Sequence, residues 1–213
     1  MKRKPLQNFL YISIAAAVVT ILLKFYAYHL TGSIGFMSDA MESLVNLFAA
    51  VFALVMLHLS QKPADEGHAF GHTKAEYFSS AAEGALILIA AFSIIRSAIT
   101  RLIEPVPLEN LNTGLLFSLL ASLVNMVVGI ILIKSGKKHK SLILEADGRH
   151  LMTDVWTSAG VIAGIVVVKF TGWVVIDPII ALLVAINIIY TGYKLISRSA
   201  SGLMDASIPD EDI

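Results

Sequence analysis

Six apolar runs, each long enough to cross a bilayer, constrain this chain more than any other feature. A hydrocarbon core about 30 Å thick is spanned by roughly 20 helical residues. Runs of that kind occupy Phe9–Leu30, Phe36–Leu59, Tyr77–Ile103, Thr113–Ile133, Leu144–Phe170 and Val174–Ile196. Lipid offers the backbone no hydrogen-bond partners, so a spanning segment must satisfy its own N–H and C=O groups, and the runs are expected as helices. Composition agrees: 56% of the 213 residues are hydrophobic and 15% charged, against about 45–50% apolar residues in soluble domains. The expected fold is an all-α membrane protein of six transmembrane helices, one domain over residues 1–213. The first run holds Lys24 and is not followed by a small-residue cleavage site, so it reads as a permanent helix rather than a signal peptide.

Formal net charge is zero, which gives no reason to expect nucleic acid. The placement of the positive charges is uneven. Eleven of the 16 Lys and Arg fall on one side: Lys2, Arg3, Lys4, Lys62, Lys74, Lys134, Lys137, Lys138, Lys140, Lys194 and Arg198. The three opposite connections, around Gly32, Pro105 to Asn112 and Gly172, are short and hold no Lys or Arg. The positive-inside rule then puts both termini in the cytoplasm of a multi-pass cell-membrane protein. There is no Cys, so a metal site must be built from nitrogen and oxygen donors.

Ionisable groups in a bilayer helix cost roughly 2.5–3.5 kcal/mol each and need a partner or a wet cavity. Glu42 and Asp154 are the costliest, roughly 12–18 Å deep at about 1.5 Å per residue. Glu42 and Asn46 are spaced i,i+4, as are His150 and Asp154, and such pairs share one helix face. SDAMESLVN in the second run and ADGRHLMTD in the fifth match in their polar offsets: Asp39 with Asp147, Glu42 with His150, Asn46 with Asp154. An odd number of crossings separates the two runs, which suggests an inverted repeat of helices 1–3 and 4–6, an arrangement that puts transporter sites near the midplane. Antiparallel packing would gather Glu42, Asn46, His150 and Asp154 into a four-donor set suited to zinc. The competing reading is helix glue, hydrogen bonds worth about 1 kcal/mol each; it accounts for Asn46 but not for two carboxylates and an imidazole at depth.

The stretches SDAMESLVN, PADEGHAFGHTKAEYFSSAAEG and EADGRHLMTDVWTS resemble the signatures of the cation diffusion facilitator family, and the resemblance runs over essentially the whole chain. It implies a six-helix, homodimeric metal/proton antiporter whose transport site is Glu42, Asn46, His150 and Asp154, with zinc the first expectation as cargo, protons as counter-ion and no cofactor. Zinc members usually carry Asp or His at the position of Glu42 and Asp at that of Asn46. These departures leave Mn²⁺, Fe²⁺, Co²⁺ or Cd²⁺ open as the main substrate, while the imidazole favours a borderline-soft ion. The resemblance also implies that Asp65, His68 and His72 form an accessory site in the second loop, where Gly-separated donors already suit a solvent-facing metal. Lys74 and Asp205 match positions of a charged contact near the dimer interface. The family commonly carries a small ferredoxin-like domain where this chain turns acidic and stops after about residue 205, which reads as a truncated junction.

Other polar groups receive structural readings. Asp177-Pro178 is expected as N-cap and first residue of the sixth helix. Lys24, Arg101 and Lys169 are expected to snorkel to the interface. Asp39 and Asp147 lie one turn from the proposed ligands and are assigned as supporting or route-lining groups, ahead of the alternative that one of them replaces Asn46 as a ligand. Glu83 lines a cytoplasmic route or pairs with a neighbour. No enzyme is expected: an intramembrane hydrolase would need an open metal position and a base, and no H-E-x-x-H helix occurs. A membrane sensor that binds metal without moving it stays open at this level.

Overall fold

The computed structural model describes residues 4–60, 62, 63, 65, 67, 71, 72, 74–139 and 142–204. These form six α-helices: α1 Lys4–Thr31, α2 Ile34–Ser60, α3 Ala75–Ile103, α4 Leu111–His139, α5 Leu142–Thr171 and α6 Ile176–Leu203. The first five each contain one of the apolar runs and α6 begins two residues into the sixth, and there is no strand among the described residues. Five stretches are long and apolar enough to cross a membrane: Tyr11–Thr31, Ser80–Ile103, Leu111–His139, Asp147–Thr171 and Ile176–Leu203. α2, with 27 residues, is not one of the five among the described residues.

Helix ends lie where the local chemistry puts them. Gly32 (φ 65°) and Gly172 (φ 72°) take the left-handed conformation that ends α1 and α5, their N–H groups donating to Tyr28 O and Val168 O, each at 2.8 Å. Ser33 caps α2, its Oγ accepting from Phe36 N–H at 3.1 Å. Asn110 (φ 45°) precedes α4, and its carbonyl accepts the first helical bond, from Gly114 N–H.

Asp177 corrects an expectation. It lies inside α6 rather than before it, and its carboxylate accepts from Ser33 Oγ at 2.6 Å, Ile34 N–H at 2.8 Å and Gly35 N–H at 3.0 Å. It therefore caps α2 across tertiary space, because α6 opens with its own backbone turn, Ile176 N–H to Trp173 O and Asp177 N–H to Val174 O. Arg101 is corrected as well. Its guanidinium donates to Gly32 O at 2.9 Å and Val106 O at 3.2 Å, tying together two loops instead of reaching for headgroups.

The contacts group into two compact units, Met1–Leu44 with Ser93–Ala185, and Val45–Phe92 with Ile186–Ile213. In the first, α1, α4 and α5 pack on one another. One apolar cluster joins Ala16, Val128, Leu132, Leu144 and Leu151, and a second joins Ala27, Phe36, Val161 and Ile165. α4 and α5 approach to backbone contact through glycine. A Cβ on Gly148 would stand 2.7 Å from Gly129 O, and one on Gly136 2.7 Å from Glu145 N. Small residues are what let helices associate in lipid, where the hydrophobic effect gives no drive to pair. In the second unit α3 and α6 meet the same way, with a Cβ on Gly84 3.0 Å from Gly192 O. Leu22, Leu119, Leu123, Phe170 and Leu183 are exposed, as side chains facing acyl chains should be.

Candidate functional site

Glu42 and Asp154 both lie in the first unit. Asp154 is buried on α5, and Glu42 on α2 is within electrostatic range of it, of Asp39 and of Lys24. Glu42 Oε2 is shielded from solvent and has no hydrogen-bond partner among the described residues. A buried carboxylate oxygen left in that state is costly unless something else is to occupy it.

His150 lies one helical turn before Asp154, in electrostatic contact with it, but on an exposed flank of α5. Asp147 is half-buried on the same helix. Asn46 belongs to the second unit. Among the described residues no three His, Asp or Glu side chains already stand together as a metal cage. Within the first unit, then, Asp154 is in electrostatic range of His150, and Glu42 is in range of Asp154.

The same neighbourhood contains a group the sequence reading misplaced. Lys24 does not snorkel. It is 1% exposed, and its Nζ donates to Asp39 Oδ1 and to Ser43 Oγ, each at 2.8 Å. It lies seven positions before the end of α1 at Thr31, roughly 10 Å at about 1.5 Å per residue, while a partner carboxylate waits on α2. Ser158 Oγ lies 2.9 Å from both Asp39 oxygens. α1, α2 and α5 are thereby joined through one ammonium, one carboxylate and two hydroxyls. The sequence signalled only the need: a Lys that deep in an apolar run calls for a counter-ion, but which helix supplies it is not a local property. Ser118, Ser122 and Asn125, all buried on α4, carried no such signal, since a Ser or Asn in an apolar helix is unremarkable.

Of the loop donors, His72 Nε2 lies 3.5 Å from Asp65 Oδ2, whereas His68 lies outside the described residues. Lys74 donates to Leu203 O at 3.2 Å at the end of α6; Asp205 lies outside the described residues. Lys169 Nζ sits 5.8 Å from the Phe170 ring centroid near the end of α5, in keeping with an interfacial position. Glu83 is half-buried on α3.

Residues 10–204 match the cation efflux transmembrane domain. The chain is 48% identical over 198 residues to an uncharacterized transporter of Synechocystis, covering 93% of this chain and 64% of that protein. It is 28% identical to the cation-efflux pump FieF of Klebsiella pneumoniae, over 93% of this chain and 66% of the pump. To FieF of Escherichia coli it is 27% identical, with the same coverage. The chain spans about two thirds of the length of these relatives.

Proposed function

The chain belongs to the cation efflux family, a family of membrane transporters, and from that membership we propose that it exports a divalent transition metal, zinc foremost, in exchange for protons. The observation that carries this reading is the pair formed by Glu42, whose Oε2 is shielded from solvent, and buried Asp154, on two different helices and within electrostatic range of each other. Two carboxylates at such depth cost too much to serve as glue, and together they balance a divalent charge. The proposed ligands are Glu42, Asn46, His150 and Asp154, with His150 turning inward from its exposed flank when metal loads. Asp65, His68 and His72 are proposed as an accessory loop site that tunes transport without being required for it.

Proton coupling follows from ligand chemistry. Carboxylates must be ionised and imidazole neutral to bind metal, so loading releases protons and protonation expels the ion. Rocking of helices 1–3 against helices 4–6, the proposed inverted repeat, would open the site first to the cytoplasm, the side proposed for both termini, and then outward. A homodimer is the proposed assembly. Asn46, a neutral carbonyl donor where a carboxylate is usual, supports a second reading in which Mn²⁺, Fe²⁺, Co²⁺ or Cd²⁺ is carried as readily as Zn²⁺.

The test is metal accumulation in everted membrane vesicles with an imposed pH gradient. Zinc should accumulate only when the gradient is present, and Asp154→Ala should abolish accumulation. Near-native rates in Asp154→Ala would mean the site is elsewhere. Saturable binding with no gradient-driven accumulation would make the protein a sensor.

A further inference from the structure

The transport reading leaves the buried ammonium of Lys24 unused. We infer that Lys24 sets the charge of the metal site: by holding Asp39 as its permanent partner it leaves the buried cluster with two net negative charges, the complement of a single divalent cation. The inference rests on the proposed role of Glu42 and Asp154 as ligands.

Asp39, Glu42 and Asp154 contribute three formal negative charges, and Lys24 is within electrostatic range of all three. Its ammonium cancels one. The cancellation is local, because Nζ sits 2.8 Å from Asp39 Oδ1, and both Asp39 oxygens also accept from Ser158 Oγ. A carboxylate held from α1 and α5 at once is not available to wrap an incoming ion. The bracing also reaches the ligand helices. Ser43, the second acceptor of the ammonium, directly follows Glu42, and Ser158 lies one turn beyond Asp154 on the same face of α5. Lysine suits this task better than arginine, being a compact point charge on a flexible stem rather than a planar fork that would chelate a carboxylate twice. Lys24 is thus a positioning residue: it touches no cargo and acts through Asp39.

Charge setting predicts opposite signs for its two halves. Lys24→Met releases the Asp39 charge, so the purified chain should bind Zn²⁺ about tenfold more tightly by calorimetric titration at neutral pH. Asp39→Asn leaves the cluster one charge short, and binding should weaken by about tenfold. Lys24→Met/Asp39→Asn restores the sum and should return affinity to within about threefold of the parent. A merely structural role would weaken binding in both single variants and would not recover in the double. If Lys24→Met does not yield a folded chain, weakening in Asp39→Asn with recovery in the double variant supports the inference, and equal weakening in both overturns it. Asp154→Ala is the control. If the parent binds no Zn²⁺, or Asp154→Ala binds it equally well, the ligand assignment falls and this inference with it. If binding depends on Asp154 but the opposite signs are missing, only the role of Lys24 falls.

Discussion

In the proposed ligand set Asn46 is the donor whose replacement is expected to change cargo choice most. An amide offers a metal one neutral oxygen, so at that proposed position Asn46→Asp would add a full charge beside a divalent ion. Affinity for Zn²⁺ and Cd²⁺ is expected to rise by about tenfold, with slower turnover because release becomes harder. Asn46→Ala should be milder than Asp154→Ala, which removes one of two site carboxylates. Calorimetric titration of the three variants checks the order, and unchanged affinity in Asn46→Asp would return Asn46 to the role of helix glue. The Asn46 position could be picked from spacing alone because an i,i+4 partner to Glu42 is a local property of α2. The partner of Lys24 could not be, since Asp39 is fifteen residues away on another helix.

At the scale of helices, two junctions hold the first unit together by different physics. The α4–α5 hairpin depends on volume: Gly148 lies so close to Gly129 O that any side chain must push the helices apart. Gly148→Val is expected to cost about 1–3 kcal/mol, read as a lower melting midpoint of the detergent-solubilised chain, and an unchanged midpoint would mean the hairpin can yield. The α2–α6 junction depends on hydrogen bonds. Asp177→Ala removes three acceptor contacts at the start of α2 and should cost about 2 kcal/mol, the upper end for loss of a cap. Asp177→Asn should cost less, because one carbonyl oxygen still accepts. If Asp177 capped only its own helix, α2 would be unaffected, and protease accessibility around Gly32 would not change in either variant.

For the whole molecule, the expected signature of antiport is a pH-dependent affinity. The proposed ligands would bind metal in their deprotonated forms, so acidification is expected to favour the empty state and lower affinity, with a slope equal to the protons released per ion bound. The fall is to be read between roughly pH 7 and 6. Glu145 takes no part in that response. It lies outside the span that begins at Asp147, and the hydrogen bond from Arg149 holds its carboxyl below the usual range, so it is already ionised throughout the window. Zinc titrations across that window in buffers of different ionisation enthalpy count the protons. Affinity independent of pH, with no proton release, would favour a channel or uniporter over antiport.

Helix number, approximate helix ends and the i,i+4 spacing of polar residues within one helix were legible in the amino-acid sequence, because each is set locally: by the thickness of a bilayer, by glycine at a left-handed turn, by the pitch of a helix. Glu42 and Asp154 could be singled out for the same reason, since the cost of a charge in lipid depends on depth and depth is counted along one helix. What a charged side chain does with that cost depends on which helix lies beside it. Lys24 could snorkel or pair, Asp177 could cap its own helix or another, and Arg101 could reach for headgroups or close a loop. In each case the residue type and position along the helix are compatible with both outcomes. Only the packing of α1, α2 and α5, and of α2 against the start of α6, put a partner within hydrogen-bond distance and decided between them.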